Sequence, residues 1–442
     1  MLKRHMLAAA AATALFGAAS VTAQAQDVSI AYNANFASLI VPGIAAYEAE
    51  SGKKVNAIEL PGGDDYSSRI ALDLAAGTAA DVIMIDSYIV AEYAGTGYLA
   101  PLDDLLADWD QYKSFMAGPL DVVSYDGKVY ALPNGTDVRM LWYNKAAFTK
   151  AGLPIPWEPK SWDDVIAAGK ALNAAGIPDA FLLEAGTKWG EGTTMQGFYM
   201  ALLGADTPEG DRNRLRDRAS GKWIGDSPAI RRTLEFYKDV YVDEKISGPA
   251  INYVADPFSD TNNAFLAGTI GIYASGNWAN DCLWGCGNAD QPSQEEKDAL
   301  VGWTPWPGSG LPGTKATTNI SGGWTVALNA KAAGNPEAVN LLKAIYDVKN
   351  LGKWTVDTKT LTVRSDIAEL SEYKSNPYMA KITEMVGDTT GRDTVPGYAK
   401  VSALVQDMTT GILDGKSVDD VVKTYHDALV DEFGADAVVT LQ

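Results

Sequence analysis

Residues 28–86, VSIAYNANFASLIVPGIAAYEAESGKKVNAIELPGGDDYSSRIALDLAAGTAADVIMID, alternate between short apolar runs and segments with helical periodicity. The pattern predicts three strands, at Val28–Tyr32, Val55–Leu60 and Val82–Ile85. It also predicts two helices between them, at Pro42–Ser51 and Asp65–Ala76, each followed by a glycine. A β-α-β-α-β order produces right-handed crossovers and a parallel sheet covered by helices. This stretch therefore predicts an α/β fold.

Polar residues follow each of the three predicted strands. They are Asn33 and Asn35 after the first, Gly62-Gly63-Asp64 after the second, and Asp86-Ser87 after the third. Ligands of open α/β sheets bind in the crevice beyond the carboxyl ends of the strands. We therefore expect a ligand site along this edge of the sheet.

A second αβ rhythm follows a hairpin predicted at Asp126-Gly127. Ser161 and Asp164 have the spacing of a capping box for a helix that runs to about Ala175. Further strands are predicted at Phe181–Leu183, Thr269–Ala274 and Trp324–Leu328, and further helices from Ser227-Pro228 and Asn335-Pro336. Two such modules indicate two α/β lobes, with the Pro/Gly-rich stretch Trp303–Gly313 as the expected connection.

The composition excludes some classes of function. The chain has 442 residues, with 36 Lys+Arg against 56 Asp+Glu and a formal net charge of -20. Proteins that bind nucleic acid gain affinity from Lys and Arg, so no nucleic-acid partner is expected. Only two His and two Cys are present, which leaves little for His-based catalysis or a zinc site. We expect no metal and no cofactor.

The N-terminus, residues 1–25, has the pattern of a secretory signal peptide. Lys3 and Arg4 precede an Ala-rich apolar stretch, and Ala23-Gln24-Ala25 matches a cleavage site. The alternative is a membrane anchor, but the apolar stretch is short and weakly hydrophobic for a span of about 20 residues. We expect cleavage after Ala25 and a soluble, exported protein in an oxidising compartment.

Several blocks of sequence resemble one family. They begin with GTAADVIMIDSYIVAEYAGTGYLAPLDDLL at Gly77 and continue with YDGKVYALPNGTDVRMLWYNKAAFTKAGLP and SWDDVIAAGKAL. FLAGTIGIYASGNW, SGGWTVALNAKAAGNPEAVNLLKAI and TLTVRSDI follow in the same order. Together they resemble the extracellular solute-binding proteins (family 1) of carbohydrate-uptake ABC transporters, the relatives of maltose-binding protein. The blocks cover most of the chain beyond the signal peptide.

The resemblance implies a two-lobed α/β fold of the type II periplasmic-binding-protein class. Each lobe would be a sheet flanked by helices, and the chain would cross between lobes three times. Carried onto this sequence, the crossings fall near Pro133–Val138, Gly302–Pro307 and Val356–Leu361. The N-terminal lobe would comprise residues 26–135 and 305–357, and the C-terminal lobe residues 138–302 and 360–442. The lobes would close on a sugar by hinge motion.

A sugar receptor needs carboxylate, amide and guanidinium groups for hydroxyls and flat aromatic rings for C–H surfaces. The resemblance places Trp278 in a loop where a Trp stacks on a sugar ring, and Asp137 at an acidic sugar contact. Arg364 matches a T-x-R-x-D segment in which Arg can fork two hydroxyls, with a salt bridge to Asp366 as the alternative. Gly323 matches a Gly-Gly turn that lets backbone approach the ligand. Trp324 departs from the small residue common at its position and would narrow the pocket.

The remaining candidates rest on their position in the predicted elements, and each has a structural alternative. Asp86 ends a strand but could cap a helix, and Tyr66 could cover a sugar ring or lie in the core with Ile70. Trp189 stands in a Gly-flanked loop and could serve the site or surface packing. Asn35 and Tyr398 are further candidate contacts.

The two cysteines, Cys282 and Cys286, have no His nearby, and an oxidising compartment favours a local disulfide between them. Gly308–Gly313 fits the pattern G-x-G-x-x-G, but it contains Pro and opens no helix, so no dinucleotide site is expected. His426 lies on a predicted helix and is expected at the surface.

The sequence thus predicts a monomeric binding protein that is not an enzyme and that delivers a carbohydrate, most simply a di- or oligosaccharide, to an ABC transporter permease. One alternative keeps the fold and changes the ligand to a sugar alcohol or a glycerol phosphate. The other is a secreted glycoside hydrolase, because Asp/Glu pairs and Trp platforms also build such sites. Two separate αβ modules argue against the hydrolase.

Overall fold

The computed structural model describes residues 28–62, 64–387 and 389–442. The expected signal peptide, residues 1–25, lies outside these residues. The described chain forms two α/β lobes, each built on a five-stranded sheet flanked by helices. This confirms the predicted fold class.

The sheet of the first lobe, here the first sheet, contains the three strands predicted at the start of the chain. Its strands in spatial order are Val55–Leu60, Val28–Asn33, Val82–Asp86, Trp324–Leu328 and Ala131–Pro133. The first three pair in parallel, as the β-α-β-α-β pattern requires. Trp324–Leu328 runs antiparallel to Val82–Asp86 and places Trp324 opposite Asp86.

The helices of the first lobe cover this sheet. They are Ala37–Ser51, Asp64–Ala76, Val90–Gly95, Asp103–Leu106, Ala117–Val122, Pro336–Ile345, Val348–Thr358 and Ser365–Ala368. The helix predicted to start at Pro42 begins at Ala37, and Pro42 lies inside it. The difference arises because the Asn33 side chain accepts a hydrogen bond from the Asn35 N–H and starts a 3-10 turn that leads directly into the helix.

The second sheet has the spatial order Thr317–Thr318, Val301–Pro307, Arg139–Asn144, Ile270–Gly276 and Asp179–Leu182. Apolar clusters lie on both of its sides. Its helices are Lys145–Ala151, Trp162–Ala174, Tyr199–Ala205, Pro228–Lys238, Pro257–Leu266, Ala279–Cys282, Gln294–Leu300, Ser371–Lys374, Pro377–Val386, Tyr398–Leu413 and Val418–Phe433. The capping box of Ser161 and Asp164 is present at the start of Trp162–Ala174.

Smaller ladders complete the fold. Lys222–Asp226 pairs with Val438–Thr440 and Arg216–Asp217, and the hairpin around Asp126-Gly127 joins Ser124–Tyr125 to Lys128–Val129. Near the junction of the lobes, Ile320–Ser321 pairs with Thr390–Gly391.

The chain first passes between the sheets at residues 134–138, within the expected stretch Pro133–Val138. The second passage lies elsewhere: Val301–Pro307 is a strand of the second sheet, and the chain returns to the first sheet only between Thr318 and Trp324. The expected crossing at Gly302–Pro307 and the connection at Trp303–Gly313 are therefore wrong. Pro305 lies opposite Met140 in this strand, a long-range pairing that overrides the Pro/Gly-rich composition.

The third passage is longer than predicted. Leu361 packs in a cluster of the second lobe, whereas Val363 and Ile367 pack in the core of the first lobe. The chain then joins the second lobe, where Tyr373 packs. Assigning all of residues 360–442 to the C-terminal lobe is therefore wrong for this short segment.

The three passages lie side by side. The Thr136 N–H donates to the Leu361 carbonyl at 2.8 Å, and the Thr136 and Ser321 hydroxyls are 2.5 Å apart. A Cβ atom added to Gly135 would lie 2.3 Å from Thr360 Cγ2, and one added to Gly323, whose φ is +143°, would lie 2.6 Å from the Gly135 carbonyl oxygen. Glycine is needed at both positions because the strands are packed closely.

Candidate functional site

The candidate site lies between the lobes, beside the passages. From the first lobe it contains the end of strand Val82–Asp86 and the start of strand Trp324–Leu328. Asp86 is partly exposed, and its Oδ1 accepts from the Tyr88 N–H at 3.4 Å, so it also caps the following turn. The Ser87 N–H donates to the Gly323 carbonyl at 3.0 Å. Gly323 thus supports the first-lobe edge of the site through its backbone.

Trp324 contributes a half-buried indole to the same edge. Its ring centroid lies 5.6 Å from that of Phe36 and 5.5 Å from that of Tyr66. Tyr66 itself is 1% exposed and its hydroxyl donates to the Met84 carbonyl at 2.6 Å. Tyr66 is therefore a core residue beneath Trp324, as the structural alternative for it predicted. Asn35 is exposed near Gly62.

Asp137 and Arg139 form an ion pair at the second-lobe side of the junction, with 2.6 Å between Oδ1 and Nη1. Asp137 Oδ1 also accepts from the Gly322 N–H at 2.8 Å. Arg139 donates to the Ile320 carbonyl at 2.7 Å, and its guanidinium carbon lies 5.3 Å from the Trp278 ring centroid. One oxygen of Asp137 is thus already bound within the protein.

Trp278 is half-buried and immediately precedes the helix Ala279–Cys282. Its ring lies over Gly276, where an added Cβ would be 1.9 Å from Cζ3. Asn277 fixes the loop, because its side chain accepts from the Val138 N–H at 3.0 Å. The small residue at position 276 therefore allows the indole to lie flat beside the first passage.

The predicted disulfide between Cys282 and Cys286 is present. The Cys282 N–H donates to the Trp278 carbonyl at 2.8 Å, so the closed ring directly follows the Trp278 turn. Gly287, the residue that follows the ring, packs against the first lobe, where an added Cβ would lie 2.3 Å from Ser38 Oγ.

Sequence reasoning missed Glu184, which follows strand Asp179–Leu182. The carboxylate is buried, and Oε2 has no hydrogen-bond partner among the described residues. Burial raises the pKa of Glu184 to about 8, although nearby Arg139 opposes the shift. Ligands of α/β sheets bind beyond the carboxyl ends of the strands, and Glu184 follows a predicted strand of the second sheet. The expectation applied to the first sheet would therefore also have identified this residue.

Trp189 lies in the loop after Glu184 and is partly buried. Its indole N–H donates to Asn252 Oδ1 at 2.8 Å, which fixes the ring to the second lobe. A π-helical turn, Thr193–Phe198, follows and brings Gln196 within 3.1 Å of Arg139. Such turns occur frequently at functional sites.

A buried ion-pair network joins the two lobes and was also missed. Arg392 pairs with Asp86 of the first lobe and, at 3.0 Å, with Glu191 of the second. Glu191 accepts from the hydroxyls of Tyr398, at 2.8 Å, and Ser402, at 2.5 Å. Burial raises the pKa of Glu191, and Arg392 opposes this shift. Tyr398, a predicted site residue, thus belongs to this network.

Aromatic contacts accompany the network. The rings of Tyr88 and Tyr398 meet edge to face at 5.9 Å, and the Arg392 guanidinium carbon lies 5.0 Å from the Tyr88 ring centroid. No regular motif marks the segment around Arg392, because its partners come from distant parts of the chain.

Arg364 is not part of the cleft. It is fully buried in the first lobe, pairs with Asp366 and donates to the Tyr346 carbonyl and to Gln111. The predicted role in binding sugar hydroxyls is therefore wrong, and the salt-bridge alternative is correct. The structure brings Asp86, Asp137, Trp278, Gly323, Trp324 and Tyr398 to the junction of the lobes.

Within the described ranges, no helix is long and apolar enough to cross a membrane. Across the same residues, no three His, Cys, Asp or Glu side chains are grouped so that they could hold a metal ion.

Comparison with known proteins identifies the family. The model of the bacterial extracellular solute-binding protein family matches residues 31–350. A lactose-binding protein of Rhizobium radiobacter is 26% identical over an alignment that covers 97% of each chain.

Two solved structures share the two-lobed fold. A Thermotoga lettingae ABC transporter solute-binding protein, bound with α-D-tagatose, matches with a TM-score of 0.76 at 22% identity over 91% of this chain and 99% of that one. A maltose-bound T. maritima protein also has a TM-score of 0.76, at 20% identity over 92% and 99% of the two chains. The chain belongs to the bacterial extracellular solute-binding protein family.

Proposed function

We propose that this protein is the binding component of an ABC importer for a neutral carbohydrate, which it holds between its lobes. The observation that carries the proposal is the chemistry of the cleft: Trp278 and Trp324 offer partly exposed indole surfaces, while the partly exposed Asp86 offers an acceptor oxygen, Oδ2, to which no described residue donates. Rings and carboxylates together suit the C–H faces and hydroxyls of a sugar. The similarity to a lactose-binding protein supports the same class of ligand.

The charges favour a neutral ligand over a glycerol phosphate. A phosphate ester requires unpaired cations, but Arg139 is bound to Asp137 and Arg392 to two carboxylates. Arg364 is enclosed in the first lobe, and Lys188 is exposed. When it is ionised, the buried Glu184 carboxylate would also repel an anion.

A thermal-shift screen tests the ligand class, because a cognate ligand stabilises the folded protein by mass action. The panel contains lactose, maltose, tagatose, mannitol and glycerol 3-phosphate. We expect the melting temperature to rise with at least one neutral sugar and to stay unchanged with glycerol 3-phosphate. A shift with the phosphate alone would contradict the proposal, and a shift with mannitol alone would identify a sugar-alcohol receptor.

In the proposed mechanism the protein binds and releases its ligand unchanged. Contacts to both lobes select the closed form, which docks on the membrane permease. The stabilising sugar should be recovered intact after prolonged incubation, and release of hydrolysis products at appreciable turnover would contradict binding without catalysis.

The proposed location is the periplasm. It depends on residues 1–25 acting as a cleaved signal peptide, with the exported protein acting as a monomer. Edman sequencing of the exported protein should begin near Gln26. A different start would contradict the proposed cleavage.

A further inference from the structure

Arg392 forms an ion pair with a carboxylate of each lobe. Its side chain is 2% exposed, and its guanidinium contacts Asp86 and, at 2.9 Å, the Ser87 hydroxyl of the first lobe. On the second lobe it contacts Glu191 at 3.0 Å. Burial lowers the pKa of Arg392, but Asp86 and Glu191 outweigh this effect and raise it above its ordinary value. Arg392 therefore remains charged between two carboxylates.

The backbone around Arg392 is fixed to the second lobe. The next residue, Asp393, is buried and accepts from Arg218 at 2.8 Å. The preceding carbonyl, of Gly391, accepts from Arg214 at 3.1 Å. Thr390–Gly391 also pairs with Ile320–Ser321 in the second passage. Arg392 therefore cannot follow the first lobe when the lobes separate, and its contact with Asp86 must break.

Asp86 uses one oxygen in this contact. Oδ1 binds Arg392 and the Tyr88 N–H, while no described residue donates a hydrogen bond to Oδ2. Without Arg392, Asp86 and Glu191 would be left as two neighbouring carboxylates of like charge. Burial and the charge of Asp86 both raise the pKa of Glu191. The contact thus holds Asp86 in place and neutralises its repulsion from Glu191.

We propose that Arg392 is a positioning residue that links solute binding to lobe closure: it draws Asp86 onto the second lobe and leaves Asp86 Oδ2 free for a solute hydroxyl. A solute that binds Asp86 would then find its acceptor oriented in the closed form. The inference rests on the proposed function only in that the lobes close around a solute. It does not depend on the identity of that solute.

The test measures the distance between the lobes without any sugar. Spin labels are attached at Leu72→Cys on the first lobe and Leu300→Cys on the second, both exposed positions, and distances are measured by pulsed electron paramagnetic resonance. We expect Arg392→Gln to raise the ratio of open to closed molecules at least about ten-fold, because one partner of a buried ion pair is lost. Arg392→Lys should restore much of the closed population.

The variant Asp86→Asn should increase the open population in the same direction, and combining it with Arg392→Gln should add little, since both remove one contact. The control is Lys423→Gln, which removes an exposed ion pair with Asp427 and should leave the distances unchanged. If Arg392→Gln does not fold, Asp86→Asn and Arg392→Lys carry the test.

Unchanged distances in Arg392→Gln and Asp86→Asn, or fully additive effects in the double variant, would overturn the proposal. Failure of Arg392→Lys to restore closure would also overturn it. Because no sugar is present, these outcomes are independent of the ligand screen.

Discussion

Arg364 and Arg392 are both buried, and both pair with carboxylates, but they join different parts of the molecule. Arg364 binds Asp366, two residues away, and the Tyr346 carbonyl, all within the first lobe. Arg392 binds Asp86, 306 residues away on the other lobe. The first arrangement survives any movement between the lobes, whereas the second requires them to meet. Both arginines are buried, so burial does not distinguish their roles. An arginine whose partners lie in its own lobe stabilises that lobe, whereas an arginine whose partner lies in the other lobe stabilises one arrangement of the two lobes.

The largest effect that this comparison predicts is on stability at Arg364. Arg364→Met removes the ion pair with Asp366 and leaves the buried Tyr346 carbonyl without the Arg364 donor, so we expect the free energy of unfolding to fall by about 3 kcal/mol. Urea denaturation followed by circular dichroism measures it. Arg392→Met should cost less, because its carboxylates reach water when the lobes open. If Arg392→Met lowered the free energy of unfolding as much as Arg364→Met or more, the proposed difference between the two arginines would be wrong.

Glu184 extends the comparison to a buried carboxyl group with no hydrogen-bond partner at Oε2 among the described residues. Burial raises its pKa from 4.5 to about 8, so the folded state holds a proton that the unfolded state loses between these pH values. The free energy of unfolding should therefore fall as pH rises from about 5 to 8, by up to about 1.4 kcal/mol per pH unit. Glu184→Gln should remove this component of the pH dependence. Identical pH profiles for the variant and the native protein would contradict the assignment.

Trp278 tests the opposite case, a cleft residue whose loss should affect binding more than folding. Trp278→Ala removes the stacking surface, and we expect affinity for the stabilising sugar to weaken by about 1 kcal/mol. Isothermal titration calorimetry measures the change, with Lys423→Gln as an exposed control that lies outside the cleft. Unchanged affinity in Trp278→Ala would remove this residue from the site.

The smallest effect on the free energy of unfolding is expected at an exposed ion pair. Lys423 and Asp427 are four residues apart on a helix of the second lobe. Lys423→Gln should lower the free energy of unfolding by no more than about 0.5 kcal/mol, because water screens the pair. A loss similar to that of Arg364→Met would show that burial does not govern these ion pairs.

Features that depend on neighbouring residues could be predicted from the sequence. The strand Trp324–Leu328 and the capping box of Ser161 and Asp164 have the predicted bounds because alternation and cap spacing are local signals. The strand Val301–Pro307 could not be predicted, since pairing with residues 140–144 overrides its prolines.

In the candidate site, too, the residues marked by local patterns could be predicted and those fixed by long-range contacts could not. Asp86 was found because it ends a predicted strand, and Trp278 because its block of sequence resembles a family loop. Arg364 was predicted because it lies in a recognisable motif, whereas no motif marks Arg392. Which of two arginines faces another lobe depends on contacts hundreds of residues apart, and no local pattern encodes them.

The three passages between the lobes have a mechanical consequence. Hydrogen bonds and close glycine contacts hold them side by side at Gly135, Ser321 and Leu361. The three passages therefore have to bend together, and we expect the lobes to separate mainly by rotation about this line.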